Sequence, residues 1–260
     1  FETLSVEVED ELGRLTLSRP EKLNPLSVQT LEEIALAARY FDEETAAKVV
    51  IVSGTGRAFS AGADLASFAV AQDLSPHEVA ELGRRMADSL EAMRAVTIVK
   101  IQGWCIGGGF VLASACDLRV AAQSARFSIP EVDLGIPLTW GGIPRMVREL
   151  GPALTKELVL TCRPFDAAEA RSVGFLNRVA PTGALDEEVE VLARALVQKA
   201  SHALFSTKRH VNAVTSQMVG TTRSWADADG LVASFADEES AKARRDYLLS
   251  RSRGAKGGRR

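Results

Sequence analysis

Leu4–Glu9 and Leu12–Leu17 alternate apolar and polar side chains on either side of Asp10 and Glu11, the pattern of an antiparallel hairpin. Arg19-Pro20 ends the second strand, because proline has no amide to give to a ladder. Ser27 stands as an N-cap before Leu31, Ile34, Ala35, Ala38 and Phe41, which recur at helical spacing. Residues 48–53 (KVVIVS) are nearly all apolar, as a strand covered on both faces requires. Ser75-Pro76-His77-Glu78 combines a capping box with a first-turn proline and predicts a helix to about Arg94. Residues 97–102 predict a second buried strand, 103–109 a glycine-rich turn, and 110–116 the helix it feeds. Short strands follow at 118–121 and 127–129. Two strands then a helix, twice over, is an α/β pattern. Beyond Thr139 helical periodicity covers 142–150, 153–161, 166–172 and 185–199, with 177–179 the one late strand. From His202 the chain predicts helices broken near Gly220 and Gly230.

Composition adds limits. Of 260 residues, 46% are apolar and 25% charged, which excludes disorder, collagen and coiled coil for the bulk of the chain. The 31 basic and 34 acidic residues leave a net charge of −3, so no electrostatic footprint for nucleic acid exists. Cys105, Cys116 and Cys162 form no CxxC pair and no zinc spacing, and read as buried thiols in a reducing compartment. No apolar run approaches the length of a membrane span, and no signal peptide is read, so a cytoplasmic protein is expected. The first residue is Phe1, not Met, which points to a trimmed N-terminus. The stretch 251–260 has five basic residues and no acid, and is expected to fray as a basic tail.

Three segments carry candidate chemistry: 58–64 (AFSAGAD), 103–109 (GWCIGGG) and 127–135 (FSIPEVDLG). Each follows a buried strand, where ligands gather in α/β folds. Their small residues let backbone amides approach a ligand, and Gly107–Gly109 would sit at a helix N-terminus, which favours developing negative charge. Two such donors from separate loops make an oxyanion hole. The histidines 77, 202 and 210 lie far from these loops in sequence, no metal-ligand spacing occurs, and neither a GxSxG elbow nor a P-loop is present.

Taken together, these residues resemble the enoyl-CoA hydratase/isomerase (crotonase) family over almost the whole chain. The match begins at 15–26 (LTLSRPEKLNPL), with Arg-Pro-x-x-x-Asn-x-Leu. It continues through 58–64, Gly103, Gly107–Gly109 and Cys116-Asp117, then 127–135, 141–145 and 160–179. The resemblance implies a crotonase-like spiral of ββα units over residues 1–200, a helical C-terminal trimerisation region over 201–250, and a tail over 251–260. It implies an acyl-CoA thioester substrate, no cofactor beyond the coenzyme A of that substrate, and a homotrimer or dimer of trimers. The thioester oxygen would be held by the amides of Ala63 and Gly108. Leu23, Ala61, Gly62, Asp64 and Leu65 would border CoA, with Tyr247 and Arg251 near it. Phe110, Val111, Thr139 and Trp140 would line the acyl pocket.

The carboxylates decide the reaction. Hydratases of this family use two glutamates. The first position, two residues after the glycine triplet, holds Val111 here; the second holds Glu131. The dienoyl-CoA isomerase aspartate, eight residues after Glu131, is replaced by Thr139, while Asp133 and Asp117 read as structural. The expectation is therefore double-bond isomerisation of an enoyl-CoA, with Glu131 as a proton shuttle whose pKa burial should raise. The alternatives are an enoyl-CoA hydratase with an atypical single-glutamate site, and a catalytically weak acyl-CoA-binding protein.

Overall fold

The computed structural model describes residues 1–69, 74–181, 183–224 and 226–257, the stretch 251–257 as backbone only. The hairpin forms as patterned: β1 (Leu4–Glu9) pairs antiparallel with β2 (Leu12–Leu17). Asp10 turns the chain at φ 54°, a conformation aspartate tolerates better than most residues. The Ser27 hydroxyl accepts from Thr30 N at 3.2 Å and starts α1 (Val28–Glu44). Then come β3 (Val49–Gly54), α2 (Leu65–Ala69) and α3 (Pro76–Ala92), the last opened by the Ser75–Glu78 capping box. β4 (Val96–Ile101), β5 (Trp104–Ile106) and α4 (Gly108–Ser114) make the next unit. β6 (Leu118–Ala122), β7 (Arg126–Ser128), α5 (Gly142–Leu150) and α6 (Pro152–Thr161) make another. β8 (Phe165–Asp166), α7 (Ala167–Ser172), β9 (Arg178–Ala180) and α8 (Leu185–Val197) close the layered part. The chain ends in α9 (Ser201–Met218), α10 (Asp227–Ala236) and α11 (Glu238–Gly257).

One sheet runs β1-β2-β3-β4-β6-β9, parallel from β2 onward; a smaller one runs β5-β7-β8. Parallel neighbours need long crossovers, and the helices supply them. Each crossover returns the chain one step further along the sheet, so the units stack as a spiral. Residues of β3 are buried on both faces, as their apolar run required. Val50 and Val52 join Leu15, Leu17, Val99 and Ile101 in the main core. Val49 and Ile51 face the other way, with Ile98 and Val120, and are covered by Leu185, Val189 and Ala193 of α8.

Three expectations need correction. The glycine-rich turn contains a strand, β5, and a second short strand, β8, lies just before α7. Gly230 does not break a helix; it lies inside α10, and the break comes at Asp237. The backbone of α11 runs on as far as Gly257, and residues 258–260 lie outside the described residues.

Candidate functional site

Successive turns of the spiral lay the three loops side by side. The first contact is made by Asn24, buried and held at φ 52°. Its amide nitrogen donates to Thr55 O (2.8 Å), Ala58 O (3.0 Å) and Phe59 O (3.2 Å), and its Oδ1 accepts from Arg19 N (2.9 Å). One side chain thus ties the turn after β2 to the loop after β3. Leu26 then bridges that loop in parallel: its amide donates to Gly62 O (2.8 Å) and its carbonyl accepts from Asp64 N (3.0 Å). In a parallel bridge both bonds go to the neighbours of the paired residue. The N–H of Ala63 therefore points away from Leu26, and among the described residues it donates to no protein acceptor.

The next turn is joined by a Ser60–Cys105 bridge, with Ile106 N donating to Ser60 O at 3.1 Å. The turn after that is fixed by β5–β7 pairing, with Gly107 N donating to Ser128 O at 2.9 Å. Close packing explains the glycines. A Cβ at Gly62 would sit 2.7 Å from Ile106 O, and one at Gly109 2.8 Å from Ser60 Cβ. A Cβ at Gly107, which holds φ 50°, would collide with the Glu131 carboxylate. Gly108 opens α4, so its N–H has no partner within the helix, and it finds none elsewhere among the described residues. The Ala63 and Gly108 amides border one cavity as unengaged donors.

Glu131 does not start a helix; it sits in a tight turn in which Leu134 and Ile136 donate back to its carbonyl at 3.0 Å. One flank of the residue faces a cleft, but Oε2 is shut off from solvent and has no hydrogen-bond partner. Burial pushes its carboxyl up to about 7, opposed only by a bond to its own backbone. Val111, which lines the same cavity, is buried and apolar. Apart from Glu131, the polar groups in the described lining of this chamber are the Thr139 hydroxyl and the Trp140 indole N–H.

Two spaces meet at Ala63, Leu65, Glu131 and Ile136: an open cleft of about 880 Å³ and an inner chamber of about 40 Å³. Leu23, Ala61, Gly62, Ala63, Leu65 and Tyr247 line the cleft. Val111, Thr139, Trp140 and Gly108 line the chamber. Two residues depart from expectation. Phe110 points away, stacked on Phe175 at 4.3 Å within an aromatic cluster with Phe127 and Phe165. Asp64 does not border the cleft; its carboxylate lies 3.7 Å from Arg19 and accepts from Ser67 N at the start of α2. The side chain of Arg251 lies outside the described residues. Asp117 is structural: it binds Thr97 N (2.7 Å) and Lys208 Nζ (2.8 Å).

The sequence did not single out Arg57, exposed and the one cation in the described lining of the cleft, nor Leu231 and Phe235, which α10 brings to the chamber. Neither residue type carries a local pattern that tells where the tertiary fold will put it. The three cysteines are free and buried, with Cys116 pushed up to about 12 by burial. Among the described residues no cluster could hold a metal, and no helix is long and apolar enough to cross a membrane.

The family model described as enoyl-CoA hydratase/isomerase matches residues 7–253. The chain is 36% identical over 215 residues to a Mycobacterium bovis protein named probable enoyl-CoA hydratase echA8, with 82% of each chain covered. It is 34% identical over 213 residues to a crotonyl-CoA hydratase of Syntrophomonas wolfei, again with 82% of each covered. Among solved structures, an enoyl-CoA hydratase from Mycobacterium avium subsp. paratuberculosis superposes with a TM-score of 0.85 at 25% identity, covering 94% of this chain and 98% of that one.

Proposed function

The chain belongs to the enoyl-CoA hydratase/isomerase family, and from that premise we propose that it moves the double bond of an enoyl-CoA, with Glu131 as the one acid–base group. The observation that carries this reading is a single desolvated carboxylate in a chamber with two unengaged backbone amides and an apolar Val111 where a second glutamate would act. The ionised Glu131 takes a proton from C2 of a 3-enoyl thioester. The electron pair moves through the chain to the thioester oxygen, and the amides of Ala63 and Gly108 hold the resulting dienolate. One such donor lowers the barrier by about 2.7–4 kcal/mol. Protonated Glu131 then returns the proton to C4, leaving a 2-enoyl thioester. A pKa near 7 suits both halves of this exchange.

The CoA moiety runs along the cleft past Leu23, Ala61, Gly62, Leu65 and Tyr247, with Arg57 available to its phosphates. Arg251 is a further cation on the same C-terminal helix. The scheme uses no cofactor apart from the CoA that the substrate brings.

A second reading, hydration of a 2-enoyl-CoA, is favoured by the relatives, which are named hydratases. The Thr139 hydroxyl would then share the water with Glu131. Loss of one positioned acid–base group costs about 10²–10⁴ in rate, so hydration should be slow. The test offers 3-butenoyl-CoA and crotonyl-CoA to the purified protein. Conversion of the first to crotonyl-CoA, faster than crotonyl-CoA is hydrated, is the expected outcome. Rapid hydration with little isomerisation overturns the proposal in favour of the second reading. Tight binding with turnover of neither leaves an acyl-CoA-binding protein.

A further inference from the structure

The inner chamber is small, about 40 Å³, and an indole forms part of its wall. Trp140 is 5% exposed and holds φ 62°, a conformation that costs a side-chain-bearing residue about 1–2 kcal/mol. Its ring lies over two glycines from different elements. A Cβ built on Gly83 would come 1.9 Å from a ring carbon, and one on Gly108 2.2 Å. Gly83 is the telling one. It stands in the middle of α3, where glycine costs about 1 kcal/mol against alanine. Its lack of a side chain is what admits the indole. On a further side the ring meets Phe68 edge-on, with centroids 6.2 Å apart.

The backbone of Trp140 is pinned as firmly. Arg145, fully buried, donates from Nη1 to the carbonyls of Trp140 and Gly141, both at 3.3 Å. Arg145 is itself held by Asp88 at 2.9 Å and by Glu91. Gly141 N donates to Asp227 at 2.8 Å, which ties the same turn to α10. Three helices thus fix one unfavourable backbone conformation, and what they secure is the position of a large ring in the wall of the chamber.

We propose that Trp140 is a fixed stop that restricts the substrate to short acyl chains, about four carbons long. This deepens the functional reading above and rests on it. The arithmetic is one of volume. About 40 Å³ is open in the chamber that Trp140 helps line. A cavity needs about 10–15 Å³ of such volume to hold one water, and a cavity that takes benzene is about 150 Å³. With the carbonyl at the amides and C2 at Glu131, about one or two further carbons fit. A ten-carbon chain or an aromatic acyl group does not.

The experiment measures binding of butyryl-CoA and decanoyl-CoA by titration calorimetry, since neither requires turnover. It sets wild type beside Trp140→Gly, which keeps the positive φ at no cost, and Trp140→Leu, which keeps an apolar side chain should the glycine variant fail to fold. Wild type should bind butyryl-CoA at least about tenfold more tightly than decanoyl-CoA. Either variant that folds should erase or reverse that preference. Equal binding of both chains by wild type, or an unchanged preference in a folded variant, overturns the stop. If wild type keeps the length preference yet turns over no enoyl-CoA, the catalytic reading falls and the stop stands. Should neither acyl-CoA bind, both fall.

Discussion

At Glu131 a single carboxylate carries both a rate and a stability prediction. Glu131→Gln keeps the shape and removes the proton carrier, so turnover should fall by about 10²–10⁴ while butyryl-CoA binding changes little. The base must be ionised in the free enzyme. With a pKa near 7, kcat/KM in the wild type should therefore drop about tenfold per pH unit below 7. The same shift has a sign for stability. The folded state holds its proton up to about 7, whereas the unfolded chain releases it near 4.5. The stabilisation is thus fully present below 4.5 and is lost as pH rises to 7. Relative to wild type, the glutamine variant should gain roughly 2–3 kcal/mol in unfolding free energy between pH 5 and pH 8, read by urea titration. A pH-independent difference would mean that Glu131 is solvated. This residue was legible in the sequence because proline, glutamate and glycine stand at fixed positions after a strand. The neighbouring pair 110 and 111 was half legible. Consecutive residues on a helix point about 100° apart, so Val111 can face the chamber only if Phe110 faces elsewhere, into the Phe175 cluster.

Among the elements, those with a long hydrophobic period were readable and those held only by a neighbour were not. The hairpin, α1 and the capped α3 each declare themselves locally. β5 and β8 are three and two residues long, too short for an alternation to register, and exist because β7 lies between them. Gly230 shows the converse: a glycine read as a breaker stays helical, with Pro137 packed near the space its side chain would fill. The junction of elements that matters most for the site is Asn24. Asn24→Ala removes four hydrogen bonds, two of them fully buried, and leaves a left-handed backbone without the residue type that tolerates it. A loss of about 2–4 kcal/mol should follow, visible as a lowered Tm. Because Leu26 sets the direction of the Ala63 amide, the variant should also lose kcat at temperatures where it is still folded. Unchanged kcat in the folded variant would uncouple that bridge from the site.

For the molecule as a whole, the order of the ββα units could be read from the sequence, but the return of the C-terminal helices could not. α10 packs on α3 and delivers Leu231 and Phe235 to the chamber, a long-range outcome that no local pattern encodes. The remaining face of that region is different. Val211, Val214 and Met218 of α9 are 55%, 49% and 74% exposed, and their spacing of three and four residues puts them on one stripe. Scattered exposed apolar residues are ordinary, but a contiguous stripe on one helix marks a contact surface. The homo-oligomer expected from the sequence gives that stripe an occupant, another copy of the chain. Light scattering should then report three or six chain masses per particle. A charge cannot be buried unpaired at such an interface without a cost of several kcal/mol. Val214→Asp with Met218→Asp should therefore yield monomers that keep the fold by circular dichroism. A wild type already monomeric at micromolar concentration would remove the stripe from any assembly and leave it merely solvated.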